Sequence, residues 1–392
     1  MKNNRLRILD IKDSCTACGA CVSSCPKQAL QLAYDDEGFY FPQLNVSKCV
    51  DCKSCEKVCH VLRAPRLLHV SQKYKAFMVK ANDAEIVKSS SSGGVFTILA
   101  NYVLSKKGVV FGARYNFDKE RLEHCSTDNC SLIELRKSKY IESYVGTSFK
   151  EVLTNLKNER MVLFCGTPCQ IDGLSQFLRT RQVNTKNLLL VRFVCHGVPS
   201  NKFFAEYKHF EERKYGSKMN SFDFRPKTRG WRNSDWKMSF ENGKTIGGPY
   251  YYFYYYYHFQ LSNMLRKSCY FCKRVYQETA DITIADFWGI YDYRPSNKDQ
   301  EGISLVLDHT GKFKALFSHI KNECVIEEVP LSSLGYIYEE AKDREPLYTE
   351  REKLMESVLR RGYVKTAQRE LRRSIIKWKV KNFIKKTIGL KI

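Results

Sequence analysis

Eight of the chain's sixteen cysteines fall in two runs near its start: Cys15-x2-Cys18-x2-Cys21-x3-Cys25-Pro26, then Cys49-x2-Cys52-x2-Cys55-x3-Cys59. Three thiolates at x2 spacing let one short loop wrap a cube of iron and sulfide. The longer x3 step carries the fourth thiolate to the neighbouring cube. The spacing therefore predicts one [4Fe-4S] cluster on Cys15, Cys18, Cys21 and Cys59, and a second on Cys49, Cys52, Cys55 and Cys25. Structural zinc sites usually separate two cysteine pairs and close on four ligands. Disulfides fit so dense a spacing poorly. The chain is expected to move electrons.

A chain of 392 residues has room for one small module and one or two domains with real cores. Sixteen cysteines, no apolar run near 18 residues and no apolar stretch directly after Met1–Arg5 together predict a reducing, cytoplasmic location. A net charge of +23 suits nucleic acid, an anionic membrane surface or an acidic partner protein. The excess is unevenly spread. Residues 360–392 carry twelve Lys or Arg against a single acid, Glu370. No nucleic-acid recognition motif accompanies that charge, so nucleic acid is not an expected partner. Read as a helix, residues 371–390 put Ile376, Val380, Phe383, Ile384 and Ile388 on one stripe, with lysines over most of the remainder. That pattern suits peripheral binding to anionic lipid at the inner face of the membrane. It equally suits a helix packed on the body with a solvated basic face, or docking of an acidic protein.

Between the cysteine runs, Ala29–Leu32 and Phe39–Phe41 flank Asp35-Asp36-Glu37-Gly38, the pattern of a hairpin with an acidic turn. From Tyr74 the pattern becomes α/β. Tyr74–Lys80, Gly108–Tyr115, Met161–Cys165, Leu188–Cys195, Asp281–Asp286 and Ile303–Leu307 are expected strands. The continuous apolar runs at 161–165 and 188–195 suit strands buried on both faces. Val95–Leu104 has helical spacing and starts at Ser89-Ser90-Ser91-Ser92-Gly93-Gly94. Such a turn either offers backbone N–H groups to an anion or serves as an N-cap with a flexible loop. No G-x-G-x-x-G follows a strand, so a Rossmann site is unsupported. Residues 250–259 are a low-complexity aromatic run, and helix is expected to continue through Leu261, Met264 and Leu265.

Cys169 and Cys195 each follow a buried strand, and in a parallel sheet such strand ends lie together at the ligand-binding edge. Cys269-x2-Cys272 adds a two-sulfur clip. The four can make a third thiolate site; a zinc site or four unrelated buried cysteines fit the spacing as well. Cys125, Cys130 and Cys324 read as ordinary thiols, and Cys165 competes with Cys169 as a ligand. Radical S-adenosylmethionine chemistry is excluded, because no C-x3-C-x2-C is present.

Phe164-Cys-Gly-Thr-Pro-Cys-Gln-Ile171, Val194-Cys-His-Gly-Val198 and the Cys269–Cys272 clip followed by Ala280–Gly289 resemble motifs of the coenzyme F420 hydrogenase/dehydrogenase beta-subunit family. Ser91–Phe96 and Ser138-Lys139-Tyr140 match it too, in the same order. The resemblance covers about residues 10–330, and includes forms with an N-terminal ferredoxin domain that are found in bacterial polysaccharide loci. It implies an α/β flavoprotein that binds FAD outside a Rossmann frame. It also implies a third [4Fe-4S] cluster on Cys169, Cys195, Cys269 and Cys272. Ser91, Ser92, Gly93, Gly94, Lys139 and Thr167 are the implied FAD-binding residues, and His196 and Asp286 the candidate proton donors.

Four segments are expected: residues 1–65, an α+β two-[4Fe-4S] ferredoxin module; 70–155 and 156–330, the two parts of the α/β flavoprotein domain; and 331–392, a basic helical tail. Clusters pass single electrons whereas most organic substrates take two, and a flavin can do both. The expected function is an FAD- and [4Fe-4S]-dependent oxidoreductase. It would be served by a redox partner protein or soluble electron donor and would act on a small substrate or an F420-like deazaflavin. The alternative is an electron-transfer subunit with no substrate of its own.

Overall fold

The computed structural model describes residues 6–63, 74–272, 279–296, 299–334, 344–373 and 376. The strands, in chain order, are β1 Leu30–Tyr34, β2 Tyr40–Leu44, β3 Lys75–Ala81, β4 Val109–Asn116, β5 Arg121–Ser126, β6 Val162–Gly166, β7 Leu188–Phe193, β8 Met219–Asp223, β9 Asp235–Phe240, β10 Thr245–Pro249, β11 Ile282–Asp286, β12 Ser304–Asp308 and β13 Cys324–Val329.

The main sheet runs β13-β3-β12-β11-β7-β6-β4-β5. Strands β4, β6, β7 and β11 are mutually parallel along this order, and antiparallel strands close both flanks. The apolar runs of β6 and β7 are buried because helices cover both faces. Helix Val95–Ser105 packs Ile98, Leu99 and Val103 on Val110, Leu163 and Val306. Helices Ser148–Lys157 and Pro168–Thr180 pack Phe149, Val152, Ile171 and Leu174 on Val109, Phe111, Val162 and Leu188. One sheet thus spans both sides of residue 155, the boundary between the two expected parts of that domain.

A smaller antiparallel sheet, β10-β9-β8, shares an aromatic core with helix Asn201–Tyr215. The run at 250–259 is part of that core: Phe253, Tyr255 and Tyr256 are buried. Its helix, Tyr254–Gln260, stops short of the expected end at Leu265. Ser262 has a φ of +53°, Asn263 Oδ1 pairs with His258 Nδ1 at 2.9 Å, and the Tyr270 hydroxyl donates to Ser262 O at 2.7 Å. These side-chain bonds turn the backbone toward Arg266 and Cys269.

The same core takes in Leu354, Met355, Val358, Tyr363, Ala367 and Leu371, from helix Tyr348–Arg361 and the helical residues 363–373. The expected basic tail is therefore packed on the body as far as 373. The lipid-facing stripe expected over 371–390 lies mostly outside the described residues. No helix among those described is long and apolar enough to cross a membrane.

Strands β1 and β2 form the expected hairpin, and its acidic turn is a docking element. Gly38, at φ +77°, lies against helix Asn201–Tyr215, where an added Cβ would meet Lys202 Cβ and Ser200 Oγ at 2.9 Å. Ser200 Oγ donates to Gly38 O. Glu37 accepts from Arg351, whose side chain is completely buried. Burial alone would push the Glu37 carboxyl up, but the bonds from Arg351 and the charge of Lys267 hold it below its ordinary value. Removing Arg351 leaves a largely desolvated carboxylate, at a cost on the order of 3 kcal/mol. Arg351→Ala is expected to lower hydrogen-exchange protection in residues 30–44 while β6 and β7 keep theirs. Unchanged protection of the hairpin would show that this pair does not hold the module.

Candidate iron–sulfur and cofactor site

The two cysteine runs interleave. Cys25, from the first, lines one small cavity with Cys49, Cys52 and Cys55 of the second, among Leu6, Leu30 and Leu44. Cys59 in turn lies close enough to act electrostatically on the thiols of Cys15, Cys18 and Cys21. Backbone N–H groups already point at sulfur: Ala17 to Cys15 Sγ at 3.5 Å and Ala29 to Cys25 Sγ at 3.2 Å. Burial pushes the thiols of Cys15, Cys18, Cys21 and Cys55 up, Cys55 to about 11, whereas bonds from Ser54 lower that of the exposed Cys52. Metal binding would deprotonate the desolvated thiols and release their protons.

A second group forms at the C-terminal edge of the parallel strands. Cys169 sits in the first turn of helix Pro168–Thr180, which starts with a Thr167/Gln170 capping box and Pro168. Cys195 follows β7, and the Gly197 N–H points at its sulfur at 3.4 Å. Cys269 and Cys272 come from the turn after Arg266. The four thiols act on one another: Cys195 feels Cys169 and Cys272, and Cys269 feels Cys195, Cys272 and Cys169. Burial foremost, then Cys169, pushes the Cys195 thiol up to about 12. Cys165 is not among the thiols acting on that group; its own thiol feels burial and Lys139. Cys125 and Cys130 share the Ser126 carbonyl at 3.5 and 3.2 Å, and Cys324 bonds Ile320 O at 3.4 Å.

The two regions meet at Gly173. A Cβ there would lie 2.8 Å from Cys18 Sγ and 3.0 Å from Cys18 Cβ. The Cys18 thiol feels Cys169 accordingly. Cysteine groups of the module and the body are thus in series through one helix turn.

Beside Cys169 and Cys195 opens a cavity of about 500 Å3, within the range of small-molecule and cofactor sites. Ser91, Ser92, Gly94, Lys139, Thr167, His196 and Asp286 all line it, with Cys169 and Cys195. Gly93 stands behind the wall. Its N–H donates to Ser304 Oγ at 2.9 Å, and a Cβ would meet Val79 O at 2.5 Å. Close packing against β3 and β12, rather than contact with a ligand, requires glycine there. Ser91 Oγ accepts from Ser138 N–H, and Ser92 Oγ donates to Ile303 O, both at 2.7 Å. The helix start at Val95 faces the cavity, with Gly94 at φ +92°. The Thr97 N–H is taken by Gly94 O at 3.0 Å, which leaves those of Val95 and Phe96 without a partner inside the helix.

Sequence reasoning missed several lining residues. The Thr97 hydroxyl and Arg136 Nε are buried without a hydrogen-bond partner. Both stand beside that helix start, a set suited to an anionic group such as the diphosphate of a dinucleotide. Lys139 adds charge; burial pulls its ammonium down to about 8. Gln170 Nε2 donates to Ser143 Oγ at 3.1 Å. Ser143 donates to His124 Nδ1 at 2.8 Å, and His124 Nε2–H reaches Cys165 O at 3.2 Å. Only the G-T-P-C-Q run hinted at this chain of bonds, through Gln170.

His196 is half-buried, and its Nδ1 accepts from Arg344 at 3.4 Å; desolvation first, then Arg344, lowers it to about 4. Asp286 takes the Trp231 indole N–H at 2.6 Å and Arg225 at 3.3 Å. Arg225 in turn lies 5.2 Å from the Trp288 ring.

Residues 159–333 match the family model for the C terminus of the coenzyme F420 hydrogenase/dehydrogenase beta subunit, and residues 14–62 match that of a 4Fe-4S dicluster domain. Residues 159–333 are thus similar to that beta-subunit family, and an iron–sulfur module stands in front of them. The chain is an iron–sulfur redox protein. A ferredoxin from Pyrobaculum islandicum is 39% identical over 70 residues, which is 18% of this chain and 62% of that protein's length. A chain of the F420-reducing [NiFe] hydrogenase complex from Methanosarcina barkeri is similar over 72% of this chain and 91% of its own, with 17% identity and a TM-score of 0.47.

Burial pulls His124 down to about 4, against an ordinary value near 6.5. The fold favours the neutral ring, so its contribution to stability is complete above pH 6.5 and is lost as pH falls toward 4. Chemical denaturation at fixed pH is expected to show a shallower fall across that window in His124→Gln, by up to about one proton per chain. An identical slope in both proteins would mean that the ring is not held neutral.

Proposed function

We propose that the chain is an FAD- and [4Fe-4S]-dependent oxidoreductase that exchanges electrons between a redox partner protein and a small substrate or an F420-like deazaflavin. Cys15, Cys18, Cys21 and Cys59 hold one cluster, Cys25, Cys49, Cys52 and Cys55 the second, and Cys169, Cys195, Cys269 and Cys272 the third. FAD, when bound, joins one-electron to two-electron chemistry. The residues of the cavity fit that cofactor. The start of helix Val95–Ser105, the Thr97 hydroxyl, Arg136 and Lys139 would take its phosphates. Gln170, Ser143 and His124 stiffen the wall between that region and Cys169. Phe193 and Trp288 add apolar surface to the lining. Asp286 acts as a positioning residue that holds Arg225 at the cavity and is itself fixed by the buried Trp231 indole.

What carries the reading is the contact at Gly173: the first thiolate set touches the helix turn that bears Cys169, and Cys169 and Cys195 of the third set open on the cavity. Anaerobic purification is expected to yield about twelve iron atoms and one FAD per chain. Cys169→Ser is expected to hold about eight irons and keep its FAD. A fully reconstituted wild-type chain with only eight irons would remove the third cluster from the account. Absence of flavin would remove FAD.

A further inference from the structure

Arg266 joins the first cysteine loop to the third. Its guanidinium donates to Cys15 O at 3.0 Å, to Tyr40 O, and to Glu142 through Nε at 2.9 Å and through Nη2. Its own carbonyl accepts the Cys269 N–H at 2.9 Å. Arg266 and Glu142 are both about 95% buried. Burial pushes the Glu142 carboxyl up, against the pull of two guanidinium bonds and of the Tyr40 N–H at 3.0 Å. The desolvated guanidinium therefore bonds the backbone of the Cys15 loop, while the carbonyl of the same residue bonds that of the Cys269 turn.

We propose that Arg266 is a positioning residue whose fixed charge sets the reduction potentials of the first and third iron–sulfur centres relative to the second. The proposal rests on the cluster assignment above. A centre gains negative charge when reduced, and a buried cation beside it stabilises that state with little solvent screening. Glu142 opposes the effect, from the far side of the guanidinium. Arg266 bonds the Cys15 loop directly, whereas the bonds of Glu142 run to the guanidinium and to the Tyr40 N–H. Arg266 also feels Cys269. The second set, Cys25, Cys49, Cys52 and Cys55, makes no such contact among the described residues, so its centre is a control within the same molecule.

The test is a reductive titration of the full anaerobic chain followed by EPR, with iron measured for each protein. In Glu142→Gln the uncompensated guanidinium should make the first and third centres easier to reduce by about tenfold, a rise near 59 mV for one electron. In Arg266→Met/Glu142→Gln the same centres should become harder to reduce by a similar factor, and Arg266→Lys should lie nearer to wild type. The second centre should stay in place throughout. Shifts of one sign in both variants, or shifts no larger than those of the second centre, would overturn the proposal. Should the double variant fail to hold iron, Glu142→Gln decides alone, since it leaves the bonds from Arg266 to Cys15 and Tyr40 in place. A wild-type chain without a third centre would contradict the cluster assignment instead, and the potential of the first centre would still judge Arg266.

Discussion

A side chain at residue 173 would collide with a cysteine of the neighbouring module. Helix Pro168–Thr180 carries Cys169 in its first turn and Gly173 one turn later, where Cys18 sits within van der Waals reach. The rest of the architecture holds these two surfaces together. β6 and β7 deliver Cys169 and Cys195 to one sheet edge, and the turn at Ser262–Arg266 brings in Cys269 and Cys272. The hairpin β1–β2 clips the module down through Gly38 and Glu37. Electron transfer between buried centres depends on such close, fixed approach, and close packing supplies the rigidity.

That approach requires charges in the interior. Arg266 and Glu142 are desolvated together, as are Arg351 and much of Glu37. Buried pairs of this kind add little net stability but are costly to break on one side. They make the docking of the module specific. The aromatic core around Phe253, Tyr255 and Tyr256 supplies the apolar burial that lets such pairs persist.

Much of this was legible in the sequence because it is local. Cysteine spacing within a few residues paired the two runs, and apolar runs located β6, β7, β11 and β12. What stayed hidden is long-range. Arg266 and Glu142 are separated by 124 residues, and neither carries a local pattern that marks it as buried. Thr97 and Arg136 become notable only once their polar atoms are found without partners inside a cavity. Gly93 shows the converse. Its place in a Ser/Gly turn suggested contact with a phosphate, yet strand packing already accounts for the missing side chain. Helical periodicity beyond Gln260 was overridden by side-chain bonds at Ser262 and Asn263.

The central claim is that three iron–sulfur centres lie in series through Cys18 and Cys169. EPR of the fully reduced, anaerobically purified chain tests it most directly. The account predicts a spectrum broadened by spin coupling. It should collapse to narrower signals in Cys21→Ser, which removes the first centre and leaves the other two with about eight irons. A wild-type spectrum that is a plain sum of isolated centres, unchanged in form by that substitution, would contradict it.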